Sequence, residues 1–239
     1  MTEITATTAA YAPPQPGLPA RIVGVIFSPR DTYTTVAVRP RAFGVLALVT
    51  VLMAGAQFAF LSTDLGQELA LDQQIRAMEA FGRTVSDEMY AQLEGRMQVA
   101  RYISLVSVLI GVPLLTAIVA GLLMVVFTMI LGGAATFNHV YAMVAHAGII
   151  FALQQLFGLP LTYATGEMSG ANVGVFAPML DDRNFAYLFL SSVDLFVIWW
   201  CISLAIGVGV LYRRRTGPIA TGLISLSLLI AVAIALVRS

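Results

Sequence analysis

The chain has 239 residues, of which 59% are hydrophobic and 11% are charged, and its mean hydropathy is +0.86. Because about a quarter of the residues of a soluble domain are charged, this composition excludes an ordinary soluble globular protein. The formal net charge is zero, so we expect no nucleic-acid partner. The single cysteine, Cys201, excludes an intrachain disulfide and a cysteine metal cluster.

The first 20 residues are small, polar and rich in proline, and they show no periodic apolar pattern. This composition predicts a disordered tail over residues 1–20. Residues 21–41 differ, because four apolar side chains share one helical face: Ile22, Val23, Ile26 and Phe27.

A second helix start follows at residues 28–31 (SPRD), with a capping serine, proline at the first helical position and an acid. The helix is expected to end near Val38, because Pro40 disfavours helical backbone at the residue before it, Arg39. Both helices are too short to cross a membrane. We therefore predict an amphipathic interfacial segment over residues 21–41, with a loosely ordered juxtamembrane arm as the alternative.

Long apolar runs predict a membrane domain over residues 42–239. Five runs cover residues 42–61, 103–131, 140–162, 187–211 and 218–237. About 20 helical residues cross a hydrocarbon core of roughly 30 Å. Barrel strands would alternate in polarity every second residue over about ten residues, and these runs do not. The sequence therefore predicts an all-α, polytopic membrane protein with five transmembrane helices.

The connection between the first two runs predicts a helical hairpin outside the membrane. Residues 62–101 carry seven acids and four arginines. We expect a break near residues 82–86 and capping of the second helix by Ser86. The apolar stripe predicts that the hairpin packs on the spans or on a partner. Its residues recur at helical spacing: Leu69, Leu71, Ile75, Met78 and Phe81 before the break, and Met89, Tyr90, Leu93 and Met97 after it.

The arginines predict the orientation in the membrane. With a cytoplasmic N-terminus, seven arginines lie inside and six outside, so the count alone barely decides. The positive-inside rule gives most weight to short loops beside the spans. There, Arg39, Arg41 and the turn formed by Arg213, Arg214 and Arg215 favour a cytoplasmic N-terminus and an outside C-terminus. The turn is also a candidate for contact with lipid head groups, although topology signalling alone explains it.

Asp194 is the only carboxylate within an apolar run. A charge at mid-membrane is costly, so Asp194 should face the bundle and be paired or protonated. It is either an ion or proton site, or a packing anchor bonded to Arg101 or to neighbouring hydroxyls.

The other polar candidates are His146, Gln154 and Gln155 within the third run. His146 differs from Asp194 in depth by about 10 Å, so a bond to a backbone carbonyl is favoured over a pair with Asp194. The glutamines either line a pathway or bond across helices. Residues 132–133 (GG) predict a tight turn, with an anion cradle as the alternative.

Catalytic signatures are missing from the sequence. It contains no His-Glu-x-x-His, Gly-x-Ser-x-Gly or phosphate-binding loop, and no pair of intramembrane aspartates. Two histidines and one cysteine are too few for a convincing metal site. We therefore expect no catalytic residue, no cofactor and no metal.

Three motifs in order carry a family resemblance. They are residues 27–33 (FSPRDTY) with Arg39-Pro40, residues 131–137 (LGGAATF), and residues 190–196 (LSSVDLF) followed by Trp199. Over about residues 21–237 the chain resembles the Yip-domain family, the Ypt/Rab-GTPase-interacting integral membrane proteins, and most closely its bacterial type. It departs from the family at residues 145–150 (AHAGII), where a proline is often found.

For eukaryotic members the resemblance implies vesicle trafficking with small GTPases, and for the bacterial type it implies no biochemical activity. We expect a non-enzymatic organiser or adaptor of the bacterial inner membrane, in contact with lipids and with other membrane proteins or further copies of itself. The alternatives are a small ion, proton or solute transporter that uses Asp194, and an accessory subunit of a larger membrane complex.

Overall fold

The computed structural model describes residues 16–166, 170–177, 179–181 and 184–238. Over these residues the chain is helical and forms no strand beyond one isolated bridge. The helices are α1 (Leu18–Phe27), α2 (Pro29–Val38), α3 (Phe43–Phe60), α4 (Asp64–Ala80), α5 (Asp87–Met124), α6 (Phe137–Ala147), α7 (Ile149–Thr165), α8 (Phe185–Ser192), α9 (Leu195–Leu211) and α10 (Thr216–Arg238). A π-type segment, Val125–Ile130, continues α5, and a 3₁₀ turn covers Val173–Phe176.

Four helical stretches of the described chain are long and apolar enough to cross a membrane. They are Phe43–Phe60, Asp87–Ile130, Phe137–Thr165 and Thr216–Arg238. Their outer surfaces carry many exposed apolar side chains, as lipid-facing helices do. The prediction of an all-α polytopic membrane protein is confirmed.

The fourth apolar run differs from the expected single helix. It is divided into α8 and α9 by an extended link at Val193 and Asp194. The apolar composition of the run gave no sign of this break. Helix α8 ends at Ser192, and the Asp194 side chain caps the start of α9. The 17 residues of α9 span about 26 Å, and two shorter apolar helices, α1 and α9, thus accompany the four long ones.

The N-terminal helices pack against the bundle. Residues 1–15 lie outside the described part of the chain, and α1 begins at Leu18, within the expected tail. Val25 of α1 is buried with Val45 of α3 and Ile149 of α7. The expected face of α1 is only partly correct, because Val23 and Phe27 are exposed. Helix α2 ends at Val38 as predicted.

The hairpin between the first two spans is confirmed. The Ser86 hydroxyl accepts a hydrogen bond from the Met89 amide at 3.3 Å and so caps α5. Leu71, Leu93 and Met97 form the centre of a small cluster between α4 and α5. The two arms therefore pack on one another.

The third span is interrupted once, between α6 and α7, at Gly148. Helix α6 is the most enclosed element, and its residues Val140 and Val144 join the main core with Leu204 and Val208 of α9. A second core surrounds Tyr33 of α2. The bundle is thus organised around α6 and α9.

The two ends of the bundle differ in charge. The Asn138 amide lies 3.5 Å from the Pro40 carbonyl, and Arg214 donates to the Leu131 carbonyl at 2.9 Å. These contacts bring the basic residues around Pro40 to the same end as the arginine turn. The hairpin, with seven acids and four arginines, leaves the other end, where the Thr63 and Tyr163 hydroxyls lie 3.2 Å apart.

Candidate functional site

Asp194 begins α9 as its capping residue. The residue has extended backbone (φ −92°, ψ 128°), which frees its carboxylate to bend back over the first turn. Oδ1 accepts hydrogen bonds from the amides of Phe196 at 2.7 Å and Val197 at 3.3 Å. An anion at this position is further stabilised by the positive end of the helix dipole.

A side chain from the third span completes the shell of the carboxylate. Gln154 of α7 donates from Nε2 to Oδ2 of Asp194 at 2.5 Å. Three donors therefore satisfy the carboxylate, and none of them is a cation. The partners expected for a packing anchor, Arg101 or nearby hydroxyls, are not the ones used, because the helix break turns Asp194 toward backbone amides and α7.

The irregular backbone beside Asp194 is also paired. The Val173 amide donates to the Val193 carbonyl, and the Leu195 amide donates to the Ala171 carbonyl, both at 2.9 Å. Unpaired backbone groups are costly where water is excluded, so this pairing permits an extended link between α8 and α9.

Arg101 lies on α5 and forms neither a hydrogen bond nor an ion pair with Asp194. Its guanidinium donates to the Tyr102 hydroxyl at 3.3 Å and lies 4.9 Å from the centroid of the Tyr102 ring. Its Nε is buried and has no hydrogen-bond partner. The two predicted polar candidates are therefore not brought together.

His146 is fully buried and does not contact Asp194. Its Nδ1 lies 2.7 Å from the Ala142 carbonyl, and its Nε2 lies 3.3 Å from Nη1 of Arg21. A carbonyl only accepts and an arginine only donates, so Nδ1 carries the proton and the ring is neutral. The expected bond to a backbone carbonyl is formed, and both ring nitrogens are occupied.

Arg21 is a partner of His146 that the sequence analysis missed. Nη1 also donates to the Arg41 carbonyl at 3.1 Å, which ties α1 to the start of α3. Burial, and then the nearby charge of Arg41, lower the pKa of Arg21. The sequence contained little indication of this contact, since one arginine in a short helix does not identify a partner in the third span.

The remaining glutamine forms a contact between spans. Gln155 of α7 donates to Oε1 of Gln57 in α3 at 3.3 Å. Both glutamines thus bond across helices, which is one of the two alternatives that the sequence left open.

The arginine turn is held by aromatic packing. The Tyr212 hydroxyl lies 2.8 Å from the Thr128 hydroxyl, and the Tyr212 ring stacks on Phe127 with centroids 5.3 Å apart. Gly132 has φ +69°, and a Cβ on Gly133 would collide with the Tyr212 ring. Residues 132–133 therefore form the predicted tight turn, and the absence of a side chain at Gly133 leaves space for the Tyr212 ring.

Among the described residues, no group of three or more His, Cys, Asp or Glu side chains could hold a metal ion. The family model described as the Yip1 domain matches residues 23–237. Neither a curated protein nor a solved structure matches this chain significantly.

Proposed function

This chain belongs to the Yip1 domain family, and we propose that it is a non-enzymatic membrane organiser or adaptor that acts by binding protein partners. The bacterial type of the family, the bacterial inner membrane and a cytoplasmic N-terminus are parts of the same proposal. The positive-inside rule supports this orientation, because the basic turn and the Arg39–Arg41 region share one end of the bundle.

The observation that carries the proposal is the surface of the hairpin. Its arms bury Leu71, Leu93 and Met97 against one another and leave large apolar side chains outside. Phe81 is 74% exposed and Tyr90 is 44% exposed, at the tip of a hairpin that is too charged to enter lipid. Exposed aromatic groups on a polar surface are typical of protein interaction sites.

A transporter is the second candidate, and the break before α9 favours it. Discontinuous helices line the substrate sites of many transporters, where helix ends face the bound ion or solute. Asp194 lies at such an end, but its carboxylate is engaged by two amides and by Gln154. This engagement supports an architectural role over ion binding.

An accessory subunit of a larger complex would use the same hairpin surface. The two roles differ in the stability of the complex. A subunit predicts a partner that remains in a fixed ratio through purification, whereas an adaptor predicts a partner captured mainly by cross-linking.

Photo-cross-linking in cells tests the proposal. A photoreactive amino acid replaces Phe81 or Tyr90, with Gln92 as the matched control. Gln92 is exposed and lies two residues from Tyr90, about 200° around α5. We expect discrete protein adducts at Phe81 and Tyr90 and much weaker ones at Gln92. No adducts at the two aromatic positions, or the same pattern at all three, would contradict the proposal.

A further inference from the structure

An apolar groove lies between α5, α9 and α10 and ends at the arginine turn. Its volume is about 890 Å³, within the usual range of small-molecule sites, roughly 300–1,000 Å³. Its walls are almost entirely apolar, with Phe127 on the π-type segment, Trp200 on α9 and Leu223 on α10. Arg213, Arg214 and Arg215 are the charged residues of its lining.

The dimensions of the groove match one leaflet of a bilayer. Along α10 its wall extends from Pro218 to Ile230, which is about 18 Å at the helical rise. Half of a hydrocarbon core is about 15 Å. Because the arginine turn follows the end of α9 and precedes α10, it lies where lipid head groups meet water.

The charges at this end of the groove are not neutralised within the described chain. All three arginines are exposed, and the ion pair found among the described residues is elsewhere, between Arg76 and Asp72. Arg214 is held by its bond to the Leu131 carbonyl, which fixes the turn beside the π-type segment. An anion bound here would meet three neighbouring arginines, whose guanidinium groups are well suited to phosphate.

The shape of the groove depends on a residue that lacks a side chain. Gly222 lines it from α10, and a Cβ built on this glycine meets nothing within 4 Å. The space above Gly222 is therefore open to a Cβ, and a larger side chain there would extend into the groove.

We propose that this groove binds one anionic phospholipid, with the phosphate on the arginine turn and an acyl chain along Trp200 and Leu223. Charge complementarity favours a lipid over a second copy of the chain. A parallel copy would bring its own arginine turn to the same end, and like charges would repel. The inference is independent of the proposed protein partners, because it concerns the lipid-facing side of α10.

Quenching of Trp200 fluorescence by brominated lipid tests the site. In a Trp199→Phe background, Trp200 is the remaining tryptophan. The protein is placed in phosphatidylcholine bilayers that contain a small fraction of brominated phosphatidylglycerol or, for comparison, of brominated phosphatidylcholine. We expect stronger quenching by the anionic lipid, and no reversal by free inorganic phosphate.

Two variants separate the head group from the acyl chain. Arg213→Gln with Arg215→Gln should weaken the preference for the anionic lipid roughly 25-fold, since each arginine favours it roughly five-fold. Its matched control is Arg39→Gln with Arg41→Gln, which removes the same charge at the same end and should leave the preference unchanged. Gly222→Leu should abolish the extra quenching. Gly55→Leu, on an equally open glycine of α3, should not.

Three results would overturn the inference. Equal quenching of the Trp199→Phe protein by the two lipids would show only ordinary boundary lipid. Absence of quenching by either lipid would show that another occupant, such as a second copy, covers the groove. A loss of preference in both arginine variants alike would show a general effect of charge at this end of the bundle.

Discussion

The hydroxyl of Tyr33 in α2 lies 2.7 Å from the hydroxyl of Ser203 in α9, 170 residues later in the chain. Both residues are buried, and a Cβ on Gly207 would lie 3.1 Å from the Tyr33 ring. The small surface of Gly207 therefore makes room for the ring. This contact fixes the N-terminal helices on the bundle, so that they are an integral part of the fold.

Tyr33→Phe should lower the free energy of unfolding by about 1–2 kcal/mol, because the buried Ser203 hydroxyl loses its partner. Chemical unfolding in detergent micelles measures the change, with Tyr90→Phe on the exposed hairpin surface as the control. Adding Ser203→Ala should restore part of the loss, since both polar groups are then absent. An unchanged free energy in Tyr33→Phe would show that this bond is not stabilising.

The stability should also fall at alkaline pH through Tyr33. Burial raises the pKa of Tyr33, and its hydrogen bond to Ser203 offsets this increase only in part. Above the unfolded pKa, the folded state therefore keeps a proton that the unfolded state releases. The stabilisation is complete below the unfolded pKa of about 10 and is lost as the pH rises above it. The free energy of unfolding, measured across this pH range, should fall more steeply for the wild type than for Tyr33→Phe. An equal pH dependence in the two proteins would show that the alkaline loss of stability does not come from Tyr33.

Limited trypsin digestion should cut the hairpin first after Arg83. This residue lies in the exposed link between α4 and α5, whereas Arg76 and Arg96 lie within helices. Leu93→Ala removes a buried contact between the arms and should accelerate cleavage at the two helical sites. Simultaneous cleavage at all three sites in the wild type would show that the arms do not protect each other.

The hairpin and the arginine turn should lie on opposite sides of the membrane. Gln74→Cys and Arg215→Cys, each in a Cys201→Ala background, should react with an impermeant thiol reagent from opposite faces. Arg215 is chosen because Arg214 contacts the Leu131 carbonyl. We expect the hairpin to be labelled from outside. Labelling of both from one face, or reversed sidedness, would contradict the proposed orientation.

Local signals explain which features were predictable from the sequence. The cap at Ser86 and the helix end at Val38 were predicted correctly, because capping and the effect of a proline depend only on residues a few positions away. The break at Asp194 was missed because the surrounding run is apolar, although Ser191, Ser192 and Asp194 are favourable capping residues. The partners of Tyr33 and His146 are 170 and 125 residues distant, and only the tertiary fold determines such pairs.

Asp194 should respond differently to two substitutions. Asp194→Ala removes the cap of α9 and leaves Gln154 unpaired, so we expect a loss of about 2–3 kcal/mol in the free energy of unfolding. Asp194→Asn keeps a capping oxygen and should cost less than about 1 kcal/mol. Unfolding in detergent compares the two variants. Equal and large losses would show that the charge itself is required for folding.

The most direct measurement is proton and monovalent-cation flux into liposomes that contain the wild type or Asp194→Asn. If Asp194 supports the fold and the protein acts through partners, neither protein should produce flux above that of empty liposomes. In cells, both should still form adducts from a photoreactive group at Phe81. Flux in the wild type that is lost in an equally stable Asp194→Asn variant would contradict the proposed function and establish a transport site.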